Sequence, residues 1–124
     1  MLILEKPFSN EIFVKINSIE KIKASPSNST LIFEFNENLE SFIFCKENNI
    51  PYGVIINDIK ELIFIANLNA KYAFTDNLEK AKIFQKIAEN YLLDTKIIFL
   101  ADSLDEIEIL VKYQIDGIKL KDKG

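Results

Sequence analysis

The stretch KYAFTDNLEKAKIFQKIAENYLLDTKIIFL, residues 71–100, contains one full unit of the pattern that decides the fold. The β-branched and aromatic runs at 71–75 and 96–100 each predict a strand. Between them, apolar side chains recur at helical spacing, at Leu78, Ala81, Phe84, Ala88 and Tyr91. Because two strands that run in the same direction need a long crossover between them, the stretch predicts a parallel βαβ unit.

The same alternation of strand and helix extends over most of the chain. Further strand-like runs lie at 30–35, 52–56 and 116–120, each separated from the next by an apolar stripe of helical period. A closed eight-fold barrel needs at least ~200 residues, more than the 124 present. We therefore expect an α/β fold: an open, mostly parallel five-stranded sheet with helices on both faces, as in flavodoxin-like proteins.

The first 29 residues do not follow this repeat. Residues 2–5 and 12–16 both have strand composition, and a turn-like cluster, Pro7 to Asn10, separates them. We expect a β-hairpin extension in residues 1–24, a linker at 25–29 and a βα core at 30–121, all within a single domain. Because an apolar edge ribbon needs to be covered, the extension also predicts a homodimer formed through residues 1–24.

The composition excludes several kinds of chemistry. The chain has no His, and all 15 of its basic residues are Lys, which leaves no imidazole triad and no guanidinium fork. Cys45 is its single cysteine, so Cys-x-x-Cys pairs are excluded. Its three glycines do not form a phosphate-binding loop. No catalytic signature remains, and we expect a protein that is not an enzyme.

The net charge and the hydropathy of the chain restrict the classes of partner that it is expected to bind. The net charge of −4 disfavours nucleic acid, whose phosphates an acidic surface repels. No apolar run approaches the ~20 residues of a membrane helix, and the N-terminus lacks the basic start and apolar stretch of a secretion signal. The sequence therefore predicts a cytoplasmic protein with neither membrane nor nucleic-acid partners.

Polar residues cluster where the predicted strands end. In open α/β sheets, ligands bind outside the carboxyl ends of the strands. The candidate ligand- or phosphate-binding residues at these ends are Glu34, Asn36, Asp58, Thr75, Asp102, Ser103 and Lys121, with Asp76 beside them. Carboxylates such as Glu34 and Asp76 are possible ligands for Mg²⁺. Asp58, Asp76 or Asn77, and Ser103 also occupy helix N-cap positions, where a cap contributes ~1 kcal/mol, so both interpretations stay open.

The second half of the chain, residues 71–122, resembles the receiver domain of bacterial response regulators. Residues 72–76 are similar to the receiver strand that ends in the phospho-accepting aspartate, and residues 94–100 to the strand that follows it. Residues 116–122 resemble the receiver ending, in which a lysine contacts the phosphoryl group. The resemblance implies that Asp76 is the phospho-acceptor and that Lys121 is the lysine. Receivers use Mg²⁺, but for this chain we expect no cofactor, with Mg²⁺ as the alternative.

The sequence departs from that family in three places. Phe35 follows Glu34 where receivers have an acidic pair, Ala101 stands where they have a hydroxyl residue, and the loop after Asp76 is short. These departures imply impaired Mg²⁺-dependent phosphorylation. We expect a non-enzymatic regulatory module that binds a protein partner. Two alternatives remain: a small-ligand-binding domain or enzyme that uses the crevice at the strand ends, and a self-associating structural subunit.

Overall fold

The computed structural model describes residues 1–121, in which strands and helices alternate from Ser29 onward. The strands are β1 (Leu2–Ile3), β2 (Ile12–Lys15), β3 (Ser29–Glu34), β4 (Tyr52–Ile55), β5 (Tyr72–Thr75), β6 (Lys96–Ala101) and β7 (Gly117–Leu120). The α-helices are α1 (Ile19–Ala24), α2 (Glu40–Glu47), α3 (Ile59–Asn67), α4 (Leu78–Asn90) and α5 (Ile107–Lys112), and a 3₁₀ turn (Leu104–Glu106) precedes α5.

All seven strands form one parallel sheet in the order β1-β7-β6-β5-β4-β3-β2. The predicted α/β class and parallel sheet are confirmed. The predicted number of five strands is wrong, because both short N-terminal segments join the sheet. From β2 to β7 the strands lie in chain order, whereas a flavodoxin-like sheet reverses its order at a switch point.

The predicted N-terminal hairpin is also wrong. β1 pairs with β7, with Leu2 opposite Gly117, while β2 pairs with β3, with Phe13 opposite Thr30. The two segments thus lie at opposite edges of the sheet, and residues 4–11 connect one edge to the other. The predicted linker at 25–29 extends one residue too far, because Ser29 already belongs to β3.

The helices pack on one face of the sheet. Phe42, Leu62 and Phe84, from α2, α3 and α4, form one apolar cluster with Phe33 and Val54 of the neighbouring strands. Right-handed crossovers between strands that are adjacent in chain order place every helix on the same side, so the prediction of helices on both faces is wrong.

The other face is covered by the sheet itself, which curls until distant strands touch. The ring of Phe13 on β2 lies 6.4 Å from that of Phe74 on β5, and the Nζ atom of Lys119 on β7 lies 5.2 Å from the Phe13 ring centroid. In a flat sheet those strand pairs would be ~14 Å and ~24 Å apart, at ~4.8 Å per strand. The strands therefore surround an interior, although the sheet stays open between β1 and β2.

A glycine makes room inside this curl. A Cβ atom at Gly53 of β4 would lie 2.5 Å from Cε2 of Phe74 and 3.0 Å from the Cβ atom of Tyr72. The missing side chain lets the Phe74 ring lie across the interior, where it packs with Ile32 and Ile98.

Near the start of the strands, the interior contains the carboxylate of Glu11, which accepts three hydrogen bonds. Glu11 accepts from the hydroxyls of Thr30 (2.5 Å) and Tyr72 (2.6 Å) and from the ammonium of Lys71 (2.9 Å). These bonds join the segment before β2 to β3 and β5.

Candidate functional site

A cavity of about 160 Å³ lies at the opposite end of the interior, where the strands finish. Its lining residues are Lys15, Ile32, Ile55, Phe74, Leu100, Lys119, Leu120 and Lys121. We call this space the mouth cavity. Alternation along a strand explains most of the set, because every second residue of β2 to β7 points to the concave face; Leu120, between Lys119 and Lys121, lines the rim and packs with the helix-side cluster. The mouth cavity lies at the sheet edge where α/β proteins bind ligands.

Three lysines give the mouth cavity its charge. Lys15 ends β2 and is exposed, Lys121 follows β7 and is exposed, and Lys119 within β7 is only 7% exposed. The Lys119 ammonium donates to the carbonyl of Leu120 at 3.3 Å and lies over the Phe13 ring. Among the described residues, no carboxylate lines the cavity. Ammonium groups favour an anion in the cavity, and the nearby carboxylates of Asp102 and Glu5 bind Lys121 and the Leu120 backbone N–H from outside the lining.

Lys121 also contacts an acid outside the cavity. Its Nζ atom lies 3.3 Å from a carboxylate oxygen of Asp102, and that carboxylate is 80% exposed. The structure thus brings together two of the predicted site residues. An exposed ion pair contributes only ~0–1 kcal/mol, so Lys121 can turn to an incoming anion at small cost.

A second, wider cavity of about 570 Å³ lies beside the mouth cavity. It occupies the space between the ends of β2 and β3 and the helices α1 and α2, and Lys15 lines both cavities. The predicted residues Glu34 and Asn36 line this second cavity with Lys21. Asn36 also accepts the backbone N–H of Asn38 at 3.1 Å, which forms a turn before α2.

Two of the predicted site residues act as helix caps. Asp58 accepts the backbone N–H of Glu61 at 2.9 Å and begins α3. Ser103 accepts the N–H of Asp105 at 3.1 Å, and the Glu106 carboxylate accepts the N–H of Ser103 at 3.2 Å, which completes a capping box. The capping interpretation is therefore confirmed at Asp58 and Ser103.

At the end of β5, the cap of α4 is Asn77 and not Asp76. The Asn77 side chain accepts the N–H of Lys80 at 2.9 Å. Thr75 is 3% exposed, and its hydroxyl accepts the Asn77 N–H at 3.1 Å, so Thr75 supports the turn. Asp76 is exposed at the sheet edge.

The two predicted Mg²⁺ ligands follow different strands. Glu34 ends β3 and Asp76 follows β5, with β4 between them, so their backbones are separated by two strand spacings, ~10 Å. Within residues 1–121 no three His, Cys, Asp or Glu side chains are grouped so that they could hold a metal ion. The residues present thus do not form a ligand set, and the Mg²⁺ alternative stays a prediction.

Sequence reasoning missed Lys15 as a site residue. Its position depends on β2 joining β3 and on the curl that brings β2 opposite β7, and neither follows from local composition. The available signal was the alternation of Phe13 and Lys15 on one face of a short strand.

The fold and the site define an α/β domain with a curled parallel sheet and a lysine-lined cavity at the strand ends. No protein-family model matches the chain, and no curated protein matches it. The receiver relationship therefore has no support from a family match. In the part of the chain that the structure describes, no helix has the length and apolar character needed to cross a membrane.

Proposed function

We propose that this chain is a small-molecule-binding domain that holds an anionic ligand in the mouth cavity. The observation that carries the proposal is the convergence of Lys15, Lys119 and Lys121 on one cavity at the carboxyl ends of parallel strands. Ligand sites in proteins are typically concave and mostly apolar, with a few polar groups that fix orientation.

The charge distribution of the chain supports a small anion as the ligand. The protein as a whole carries a charge of −4, which repels extended polyanions, while three lysines and, among the described residues, no carboxylate line the mouth cavity. Hydrogen bonds from an ammonium group to an anion are roughly twice as strong as neutral ones. A compact carboxylate or phosphate group can use the local field without contacting the acidic surface.

Titration with simple anions tests this proposal. We expect acetate and inorganic phosphate to give saturable NMR shifts at the backbone amides of Leu120 and Lys121. The substitution Lys119→Met should weaken binding at least ~10-fold, because it removes the charge and keeps a chain of similar length. The matched control is Lys86→Gln, on the exposed side of α4. Shifts that are the same in all three proteins would contradict the proposal.

A second candidate function is the receiver-like regulatory module with impaired phosphorylation, which acts on a protein partner. Its support is that β5, β6 and β7 are neighbours, so Asp76, Asp102 and Lys121 follow adjacent strands at one edge. Beryllofluoride with Mg²⁺ tests it. We expect no saturable shifts around Asp76. Shifts centred there, and lost in Asp76→Asn, would indicate a working phospho-receiver instead.

A further inference from the structure

We infer that the anionic ligand of the mouth cavity carries one six-membered ring, or an apolar body of that size, next to its charged group. This inference rests on the function proposed above and specifies the ligand class. It follows from the volume of the cavity, the chemistry of its walls and the positions of its charges.

The volume fits a single ring. A closed cavity of ~150 Å³ lined by Leu, Ile and Phe side chains holds one benzene molecule. The mouth cavity measures about 160 Å³. A nucleotide or a two-ring ligand exceeds this volume, whereas acetate or phosphate alone leaves much of it unfilled.

The walls are apolar where the ring would lie. Ile32, Ile55, Phe74 and Leu100, one from each of β3 to β6, form the part of the lining between Lys15 and Lys119, which are the register partners of Ile32 and Leu100. Hydroxyl groups placed against these side chains would lose their hydrogen bonds with water and gain none. The walls therefore disfavour a sugar and favour an aromatic or alicyclic ring.

Two of the three lysines lie towards solvent, and Phe74 lies deeper. Phe74 is fully buried, while Lys15 and Lys121 are exposed and Lys119, at 7%, is about as buried as Ile32 at 6%. This gradient orients a ligand with its ring inward and its anionic group at the opening. Aryl carboxylates and aryl phosphates share this shape and charge.

The experiment compares matched ligand pairs on the full chain. Benzoate is compared with acetate, and phenyl phosphate with inorganic phosphate, by NMR titration. We expect the ring-bearing member of at least one pair to bind at least ~10-fold tighter, because it alone buries apolar surface against the walls. The tighter of the two aryl anions then identifies the preferred charged group.

A variant whose larger side chain fills the cavity separates the contribution of the ligand's ring to binding from the contribution of its charge. Ile55→Phe should weaken binding of the aryl anion by a factor at least ~10-fold larger than the factor by which it weakens binding of acetate. Leu100→Phe serves as a second filling variant if Ile55→Phe does not fold, and Ile59→Phe, at a position 46% exposed on α3, is the control.

The outcomes distinguish this inference from the proposed function. If acetate and phosphate bind through the lysines but the aryl anions bind no tighter, the ring inference is overturned and the anion site stands. If none of the four anions binds, both are overturned. Aryl anions that bind tightly, and are weakened both by the filling variants and by Lys119→Met but not by Ile59→Phe, support both.

Discussion

Three hydrogen bonds from distant parts of the chain converge on Glu11. Its carboxylate is 16% exposed and accepts hydrogen bonds from Thr30, Tyr72 and Lys71. Burial raises the pKa of Glu11, but these hydrogen bonds and the Lys71 charge outweigh it, and the pKa lies below its ordinary value of 4.5. The charged form of Glu11 is thus stabilised by folding.

The lowered pKa of Glu11 predicts an acid-sensitive contribution to stability. The contribution is fully present above the unfolded pKa, about 4.5, and is lost as the pH falls through the lower folded pKa. We expect Glu11→Gln to be less stable than the wild type at neutral pH by ~2 kcal/mol, and the difference to shrink below pH 4.5. Urea denaturation at a series of pH values measures this, with the exposed Glu89→Gln as control. A difference that stays constant with pH would contradict the assignment.

A second prediction for a single residue concerns Gly53. In Gly53→Ala the new Cβ atom would lie 2.5 Å from the Phe74 ring, which must then shift towards the mouth cavity. We expect a loss of ~1–3 kcal/mol, typical of overpacking. Urea denaturation measures it, and Phe74→Leu in the same chain should restore part of the loss because it removes the overlapping ring. Additive losses in the double variant would show that the two side chains do not meet.

At the level of elements, the sequence predicted the five central strands and the crossover helices between them. Runs such as 30–35 and 96–100 are apolar at consecutive positions, which indicates that both faces of the strand are buried. The pattern does not say what buries them. Helices cover one face, and the curl of the sheet covers the other, so the interpretation of helices on both faces was wrong.

The edge strands show the limit of local reasoning. A short apolar strand gains similar backbone hydrogen bonds from any neighbour, so composition did not show that β1 and β2 pair with β7 and β3 rather than with each other. The same limit applies to the site. The edge that holds Glu34, Asp76 and Lys121 was predicted, while the cavity around Lys15 depends on the curl.

Gly117 controls how β1 joins the sheet. A Cβ atom there would lie 2.9 Å from the carbonyl oxygen of Leu2 and 2.7 Å from Cδ1 of Ile98. We expect Gly117→Ala to displace β1 and to accelerate amide hydrogen exchange at Leu4, whose N–H bonds to the Ile118 carbonyl at 2.9 Å. Exchange followed by NMR measures this, with Ile16 after β2, whose N–H bonds to the Ile32 carbonyl at 2.9 Å, as internal reference. Unchanged protection at Leu4 would contradict the prediction.

For the whole molecule, the N-terminal segment offers a surface for self-association. Met1, Leu2, Phe8 and Ile12 are 49%, 42%, 64% and 48% exposed, and the segment supplies both edges of the sheet. Exposed apolar side chains next to an unpaired strand edge favour pairing with another chain. The dimer expected through residues 1–24 stays a prediction.

Light scattering after size exclusion tests the dimer. We expect the wild type to elute as a dimer and the double variant Phe8→Ser, Ile12→Lys as a monomer, because the changes remove apolar area and place a charge at the edge. The control is Leu92→Lys, at an 87% exposed position after α4. A monomeric wild type would refute the prediction.

The gap between β1 and β2 determines what keeps the sheet curled. In a closed barrel, backbone hydrogen bonds fix the circumference. Here the Phe13 ring contacts Tyr72 and Phe74 at centroid distances of 6.0 and 6.4 Å, and Glu11 accepts hydrogen bonds from Tyr72 and Lys71. The girth of the interior therefore depends on side chains from β2 and the segment before it, and not on a complete ring of backbone hydrogen bonds.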